Sequence, residues 1–324
     1  MMRRILWTLA LTIAACFCVA STAQAQSCTF SATNLAFGAV DTLGAGATDT
    51  TGTITVRCSA FVGLLSSMTM TISIGEGRGG ATASSRRMAG LTTATPLTYQ
   101  LYSNAARTQI IGSSYWSFGG SPITLSGATL LSLQSGSAVQ VQVYGRVTGG
   151  QTNVVPGSYQ SVFDRNPTDV RVDYRTCSLL LLCTNRTGTF TFTVQASVSA
   201  NCLVSATDLN FGSVGLLDKN HDASSQINVT CTPLSAYSVG LNAGLHSRAN
   251  GARRMQDGAG HQIEYGLFQN AGRTLSWGAL SSGTAQTSAG SGGAQQYSVY
   301  GRVPLQPTPP AGIYSDSVAV TITY

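Results

Sequence analysis

The chain has 324 residues, of which 43% are hydrophobic and only 9% charged, with a formal charge of +6. That length suits two domains, and that apolar content excludes wholesale disorder. Lys219 is the single lysine and the arginines are scattered. A nucleic-acid surface needs a clustered basic stripe, so no nucleic-acid partner is implied. Abundant Ser, Thr and Val with 36 Gly suit strands punctuated by turns.

The N-terminus has the form of a secretory signal. Arg3 and Arg4 precede an apolar run from Ile5 to Ala20, and Ala23-Gln24-Ala25 is a small-residue cleavage site. Residues 1–25 are read as signal peptide, with the exported chain starting at Gln26. Ile13-Ala14-Ala15-Cys16 also resembles a lipoprotein box, which would give a lipid-anchored form. No later segment is long and apolar enough to span a membrane as a helix.

Cleavage would remove Cys16 and Cys18 and leave six cysteines in an oxidising compartment. Composition cannot choose among their pairings, but an internal repeat can. Cys28 is followed by Asn34-Leu35-Ala36-Phe37-Gly38, and Cys202 by Asp208-Leu209-Asn210-Phe211-Gly212. Cys58 and Cys231 each end an alternating run, Ile54-x-Val56 and Ile227-x-Val229. Arg86-Arg87-Met88 then matches Arg253-Arg254-Met255. Tyr144-Gly145-Arg146-Val147 matches Tyr300-Gly301-Arg302-Val303, and Pro156-Gly157-Ser158-Tyr159 resembles Ala311-Gly312-Ile313-Tyr314. The equivalent pairs are therefore Cys28–Cys58 and Cys202–Cys231, each closing a loop worth about 3–4 kcal/mol in chain entropy. Cys177 and Cys183 remain as a short staple found only in the first half.

Val170, Val172 and Tyr174 share one strand face, as do Val318, Val320, Ile322 and Tyr324. No sustained helical period is found beyond the signal. The expected fold is all-β: two tandem immunoglobulin-like sandwiches, residues 26–200 and 201–324. The first half runs on through Phe190, Phe192, Val194, Ala196 and Val198, an alternating strand for which the second half has no counterpart before Tyr324. The first sandwich is thus expected to complete itself with strand 189–198, and the second to lack its final strand. Such an open edge is an aggregation hazard unless a partner covers it. The stretch between Gln26 and Cys28 is too short to form a further strand.

Chemistry-bearing motifs are few. Gly75-Glu76-Gly77-Arg78-Gly79-Gly80 fits G-x-G-x-x-G, but no helical period follows it, so it reads as a loop between strands. His221, His246 and His261 lack metal-ligand spacing, and the two glutamates, Glu76 and Glu264, fall in different halves. Neither an enzyme nor a cofactor is implied. Asn185-Arg186-Thr187 and Asn228-Val229-Thr230 match glycosylation acceptors. Three apolar segments of the first half stand out: Phe61, Val62, Leu64 and Leu65; Tyr115, Trp116 and Phe118; and Leu179, Leu180, Leu181 and Leu182 inside the staple. Four consecutive leucines cannot all face inward on a strand. In a seven-strand sandwich these three connections would emerge at one pole, as a surface-binding patch or as a cap on the core.

The early Cys, the Leu-x-Phe-Gly box, the second Cys, the Tyr-Gly-Arg-Val box and the Gly-x-Tyr before the last strand, each present twice, resemble the spore coat protein U family. That family includes the pilins and tip adhesins of archaic, Csu-type chaperone–usher pili. The resemblance implies sandwiches that lack a strand, a periplasmic chaperone that fills the gap, an outer-membrane usher, and an adjacent pilin that donates the missing strand. It also implies export to the periplasm and display at the pilus tip. There the apolar loops would attach the cell to an abiotic or host surface in biofilm formation. The Cys177–Cys183 staple is outside the family pattern. A structural pilin or coat subunit without an adhesive role is the alternative. An outer-membrane barrel is a further one, suggested by the aromatic end of Val318 to Tyr324 but opposed by the cysteines and the missing aromatic girdles.

Overall fold

The computed structural model describes residues 27–59, 67–82, 85–115, 119–126, 128–177 and 183–324. The signal segment, and Phe61, Val62, Leu64, Leu65, Trp116, Phe118 and Leu179 to Leu182, lie outside the described residues. The alternating runs of the first repeat form β1 (Cys28–Ala32), β2 (Leu35–Val40), β3 (Thr48–Cys58), β4 (Ser67–Ile74), β5 (Arg86–Gly90) and β6 (Leu97–Tyr102). They continue as β7 (Ile123–Leu125), β8 (Val139–Val147), β9 (Gly157–Phe163), β10 (Val170–Cys177), β11 (Cys183–Gly188) and β12 (Phe192–Val198). The second repeat forms β13 (Cys202–Ala206), β14 (His221–Cys231), β15 (Ala236–Leu241), β16 (Arg253–Gln256), β17 (Gln262–Phe268), β18 (Gln286–Ala289), β19 (Ala294–Val303) and β20 (Val320–Thr323).

Each repeat packs two sheets over its own apolar core. The first has the order β1-β3-β8-β6-β5-β9-β12-β2 facing β11-β10-β4-β7. The second has β13-β14-β19-β17-β16 facing β18-β15-β20. Strand by strand the orders coincide, except that β2, β9, β11 and β12 have no counterpart strands among the described residues of the second repeat. Cys28 faces Cys58 across β1–β3 and Cys202 faces Cys231 across β13–β14. The three disulfides are Cys28–Cys58, Cys202–Cys231 and Cys177–Cys183.

Among the described residues two short elements depart from the all-β expectation, a helix in the first repeat and a single 3-10 turn, Leu280–Ser282, in the second. Helix α1 (Ala128–Gln134) lies between β7 and β8, with Leu133 buried and the Ser132 hydroxyl donating to the Ala128 carbonyl (3.0 Å). Two turns are too short for a helical period to stand out in sequence. The Gly75–Gly80 stretch is a loop, and its glycines answer to close packing: a Cβ on Gly75 would stand 1.8 Å from the Thr168 carbonyl oxygen, and one on Gly79 1.9 Å from that of Arg87.

The repeated Arg-Arg-Met has a structural cause. Arg86 on β5 is fully buried. Its Nε donates to the Gly75 carbonyl (2.6 Å), and its Nη2 to those of Ile74 (2.7 Å) and Ile111 (2.8 Å). Nη1 donates to the Gln100 side chain. Arg253 repeats the device on the carbonyls of Asn242, Leu241 and Trp277 at 2.8, 2.8 and 2.9 Å. Burial pushes the Arg86 pKa down to about 10, so the guanidinium stays charged at neutral pH. Each arginine ties the end of a strand of one sheet to the other sheet. Arg86→Leu would leave three buried carbonyls without this donor and should lower stability by about 3–5 kcal/mol in thermal or urea unfolding.

The Tyr-Gly-Arg-Val boxes are equally explicit. Arg146 on β8 donates twice to Asp49 on β3 (2.7 and 2.8 Å), and Arg302 twice to Asp222 (2.7 and 2.8 Å). A second arginine joins each pair: Arg107 lies 3.2 Å from Asp49, and Arg273 3.1 Å from Asp222. Both stand 5.7 Å from the box tyrosine, Tyr144 or Tyr300. The hydrogen bond from Arg146 first, then the charge of Arg107, hold Asp49 below the ordinary carboxylate value of 3.8; Arg302 and then Arg273 do so for Asp222. A carboxylate whose pKa is lowered by folding stabilises the fold above that value and loses the contribution as pH falls below it. Both carboxylates are about one-third exposed, so solvent screening leaves each pair about 0.5 kcal/mol. The melting temperature of Asp49→Asn/Asp222→Asn should therefore fall less between pH 5 and pH 2 than that of the unmodified chain.

Candidate strand-accepting groove and distal pole

In the first repeat β12 is paired on both edges. It runs antiparallel to β9, from Phe192 opposite Phe163 to Val198 opposite Gly157, and parallel to β2, from Val194 opposite Leu35 to Val198 opposite Val40. Phe192, Val194, Ala196 and Val198 point into the core, as does Phe190 just ahead of the strand. Phe192 stacks on Phe163 with ring centroids 4.3 Å apart. Each Phe and Val among them contributes about 1.5–3 kcal/mol by burial. The strand begins three residues later than position 189, because Thr189 to Thr191 lack ladder partners.

The second repeat has both walls of this slot and nothing between them among the described residues. Residues 312–318 match β9. Ser315 exchanges two backbone hydrogen bonds with Gln256 of β16, as Gln160 of β9 faces Ala89 of β5. Residues 209–214 match β2, whose one sheet partner is β12. Neither wall is a strand here, and between them lies a cavity of about 1050 Å³. Its lining is apolar, with Leu209 and Phe211 from one wall, Val318 from the other, and Ile227, Leu267 and Val299 from the sheet beneath. The contrast in burial follows: Leu35, Phe37, Val40 and Tyr159 are buried, whereas Leu209, Phe211 and Tyr314 are half-buried and Val214 is exposed.

Both walls are fixed from outside the slot. Asp316 accepts hydrogen bonds from the Tyr265 hydroxyl (2.7 Å) and the Leu245 backbone (2.8 Å). On the other wall, Leu209 and Phe211 press on Gly301: a Cβ there would stand 2.7 Å from one and 2.9 Å from the other. Gly145 meets Phe37 in the same way at 2.9 Å. The Leu-x-Phe-Gly and Tyr-Gly-Arg-Val boxes recur together because the aromatic of one lies on the glycine of the other. Gly38 and Gly212 close the first box with φ of 69° and 74°, which side-chain-bearing residues seldom adopt. Chemically, the slot offers two unpaired backbone edges and an apolar floor, the requirements for accepting an extended segment.

The far pole of the first repeat is set by disulfide and register. Ser67, which opens β4, faces Cys177, and Cys177 faces Cys183. Segments 60–66 and 178–182 are therefore attached side by side. The third apolar segment is attached elsewhere. Strand β7 runs antiparallel to β4, with Ile123 opposite Ile72 and Leu125 opposite Met70, so the loop leading into it starts at the Ile74 end. Tyr115 lies back along the outer sheet face: its hydroxyl donates to Asp173 (2.8 Å), and Arg171 stands over its ring at 4.7 Å. The connection that does reach the Cys58–Ser67 pole is the one after β7, carrying α1. Its Leu131, 66% exposed, was not among the apolar segments singled out from sequence. Its neighbours in Leu130-Leu131 are ordinary core candidates, and only the helical turn separates the faces.

Among the described residues no cluster of His, Cys, Asp and Glu could hold a metal, and no helix is long and apolar enough to cross a membrane.

The Spore Coat Protein U domain model matches this chain twice, over residues 13–164 and 188–321. Protein U of Myxococcus xanthus is 35% identical over 104 residues, which are 30% of this chain and 58% of that protein. The chain thus spans little more than half the length of that curated relative. The solved CsuC-CsuE chaperone–tip adhesion subunit pre-assembly complex, from archaic chaperone–usher Csu pili of Acinetobacter baumannii, has a chain of similar fold. The TM-score is 0.54 at 19% identity, over 92% of this chain and 100% of that one. With the domain model matching both repeats over most of its length, the chain belongs to the Spore Coat Protein U domain family.

Proposed function

We propose that the chain is a subunit of a chaperone–usher pilus, exported to the periplasm and then the cell surface, whose second repeat accepts a β-strand from an adjacent subunit. The observation that carries this reading is the cavity of about 1050 Å³ at the place which β12 fills in the first repeat. On this reading residues 26–200 are one folding unit closed by β12, and residues 201–324 are a second unit closed by its neighbour. A periplasmic chaperone covers the groove until an outer-membrane usher exchanges it for the donor. The solved chain of similar fold belongs to a chaperone–tip adhesion subunit pre-assembly complex, which supports a chaperone as partner.

The finer part of the proposal is an adhesive tip. The first repeat carries α1, the β10–β11 hairpin and a third disulfide, none of which the second repeat has among the described residues. The described residues that flank segments 60–66 and 178–182 lie with Leu131 at one pole, away from the groove-bearing repeat. Apolar side chains gathered there would attach the cell to an abiotic or host surface, and many pili would add avidity.

A synthetic peptide of residues 189–198 should enter the groove of the full chain. At a hundred times its Kd the expected stabilisation is about 2.7 kcal/mol, and amides of 209–214 and 312–318 should gain protection from hydrogen exchange. A scrambled peptide of equal composition should do neither. If the alternating peptide protects neither wall, the groove reading is wrong.

For the pole, Leu131→Ser should change stability by no more than about 0.5 kcal/mol because the side chain is exposed. Combined with Leu180→Ser and Leu181→Ser, it should reduce attachment of piliated cells to a hydrophobic surface while leaving pilus number unchanged. Undiminished attachment by the triple variant would favour a purely structural subunit.

A further inference from the structure

A strand-accepting groove has a direction, and the direction places the body of whatever donates the strand. In the first repeat β12 runs parallel to β2, so Val198 ends beside Val40. Three residues on, Asn201 donates its side-chain amide to Asp41 (3.2 Å). On the other side of this junction the Thr152 carbonyl oxygen comes so close to Gly292 that a Cβ there would stand 2.2 Å away. The second repeat therefore sits directly on the pole of the first formed around Asp41 and Thr152.

The second repeat has the same pole in different chemistry. Gln306 brackets the backbone of Glu264 as Gln151 brackets that of Thr98. Leu305 thus stands in the place of Gly150, and, counting from the Leu-x-Phe-Gly box, Leu216 stands in the place of Thr42. Both adjoin the last pair of the β14–β19 ladder, His221 opposite Val303: the Leu216 carbonyl meets the His221 ring (3.1 Å), and the Leu305 backbone donates to Asn220 (3.3 Å). Thr42 is 1% exposed, whereas Leu216 is 63% and Leu305 66% exposed. Ile313, in the place of Ser158 at this same end of the groove, is 90% exposed.

We propose that the apolar pole formed by Leu216, Leu305 and Ile313 is the seat of a second domain of this same fold, the donor of the strand, docked as the second repeat docks on the first. The inference rests on the groove reading and adds to it where the donor's body lies and what chemistry it meets. A strand lying parallel to residues 209–214 leaves the groove beside Val214. With a tether like residues 199–201, about 10 Å at full extension, the next domain can reach only this pole. The first junction is held by an amide on a carboxylate. The second has Gly215 in the place of Asp41 and exposed leucines at the adjoining positions, so the incoming domain presents apolar groups there. Three exposed large apolar side chains on one end of a domain also need a cover.

The test uses the full chain with residues 189–201 placed ahead of Ser27, which makes each copy both donor and acceptor with the native tether. Light scattering should show concentration-dependent head-to-tail association. Leu216→Asp/Leu305→Asp in the same extended chain should weaken that association at least tenfold. The same double change in the unextended chain should leave its affinity for the free 189–198 peptide within twofold. Association of the double variant equal to that of the unmodified extended chain, with peptide binding intact, overturns the proposed seat and leaves the groove standing. Failure of the free peptide to bind the unmodified chain removes the groove, and the seat with it.

Discussion

A strand inside a sheet must have its backbone groups paired on both edges, and in the first sandwich one segment meets that demand for two others at once. Strand β12 lies between β9 and β2, and without it neither has a partner on its inner side. The second repeat shows the consequence directly. Its counterparts of β9 and β2 carry the same apolar and glycine positions, keep their outer contacts, and are still not strands. Local sequence preference is thus insufficient at both walls; the pairing partner decides whether they are β-structure.

Much of this was legible in the sequence because it depends on period and repetition. The alternation from Phe190 to Val198 marks a strand buried on one face, and the doubled Cys, Leu-x-Phe-Gly and Tyr-Gly-Arg-Val positions align the repeats. What escaped depends on direction and on long-range pairing. The loop containing Tyr115 looked like a neighbour of the staple, but it enters a strand antiparallel to β4 and so begins at the other end of the sheet. Helix α1 was invisible because seven residues give a helical period no room to declare itself.

A second kind of information was present but unread. Asn104-Ala105-Ala106-Arg107-Thr108 and Asn270-Ala271-Gly272-Arg273-Thr274 are also repeats. In each, the asparagine side chain accepts from two backbone N–H groups farther on, at 3.0 Å each. The arginine sits at φ 55°, an uncommon conformation for a side chain of that size, and is held there by its aspartate and tyrosine. The buried Arg86 and Arg253 likewise appear in sequence only as a repeated charge. Their role needs the carbonyls of distant residues, which no local pattern displays.

The position of β12 also decides how the molecule carries load. The two repeats are joined through Ser199, Ala200 and Asn201, so a pull that separates them is delivered along the axis of β12. Its seven pairs with β9 and four with β2 lie at right angles to that axis. They are strained together, in shear, and do not open one after another as the rungs of a peeled hairpin would. Pulled lengthwise, the covalent joint transfers tension into the best-braced strand of the first sandwich, and the sheet must slide as a block before the linker can lengthen.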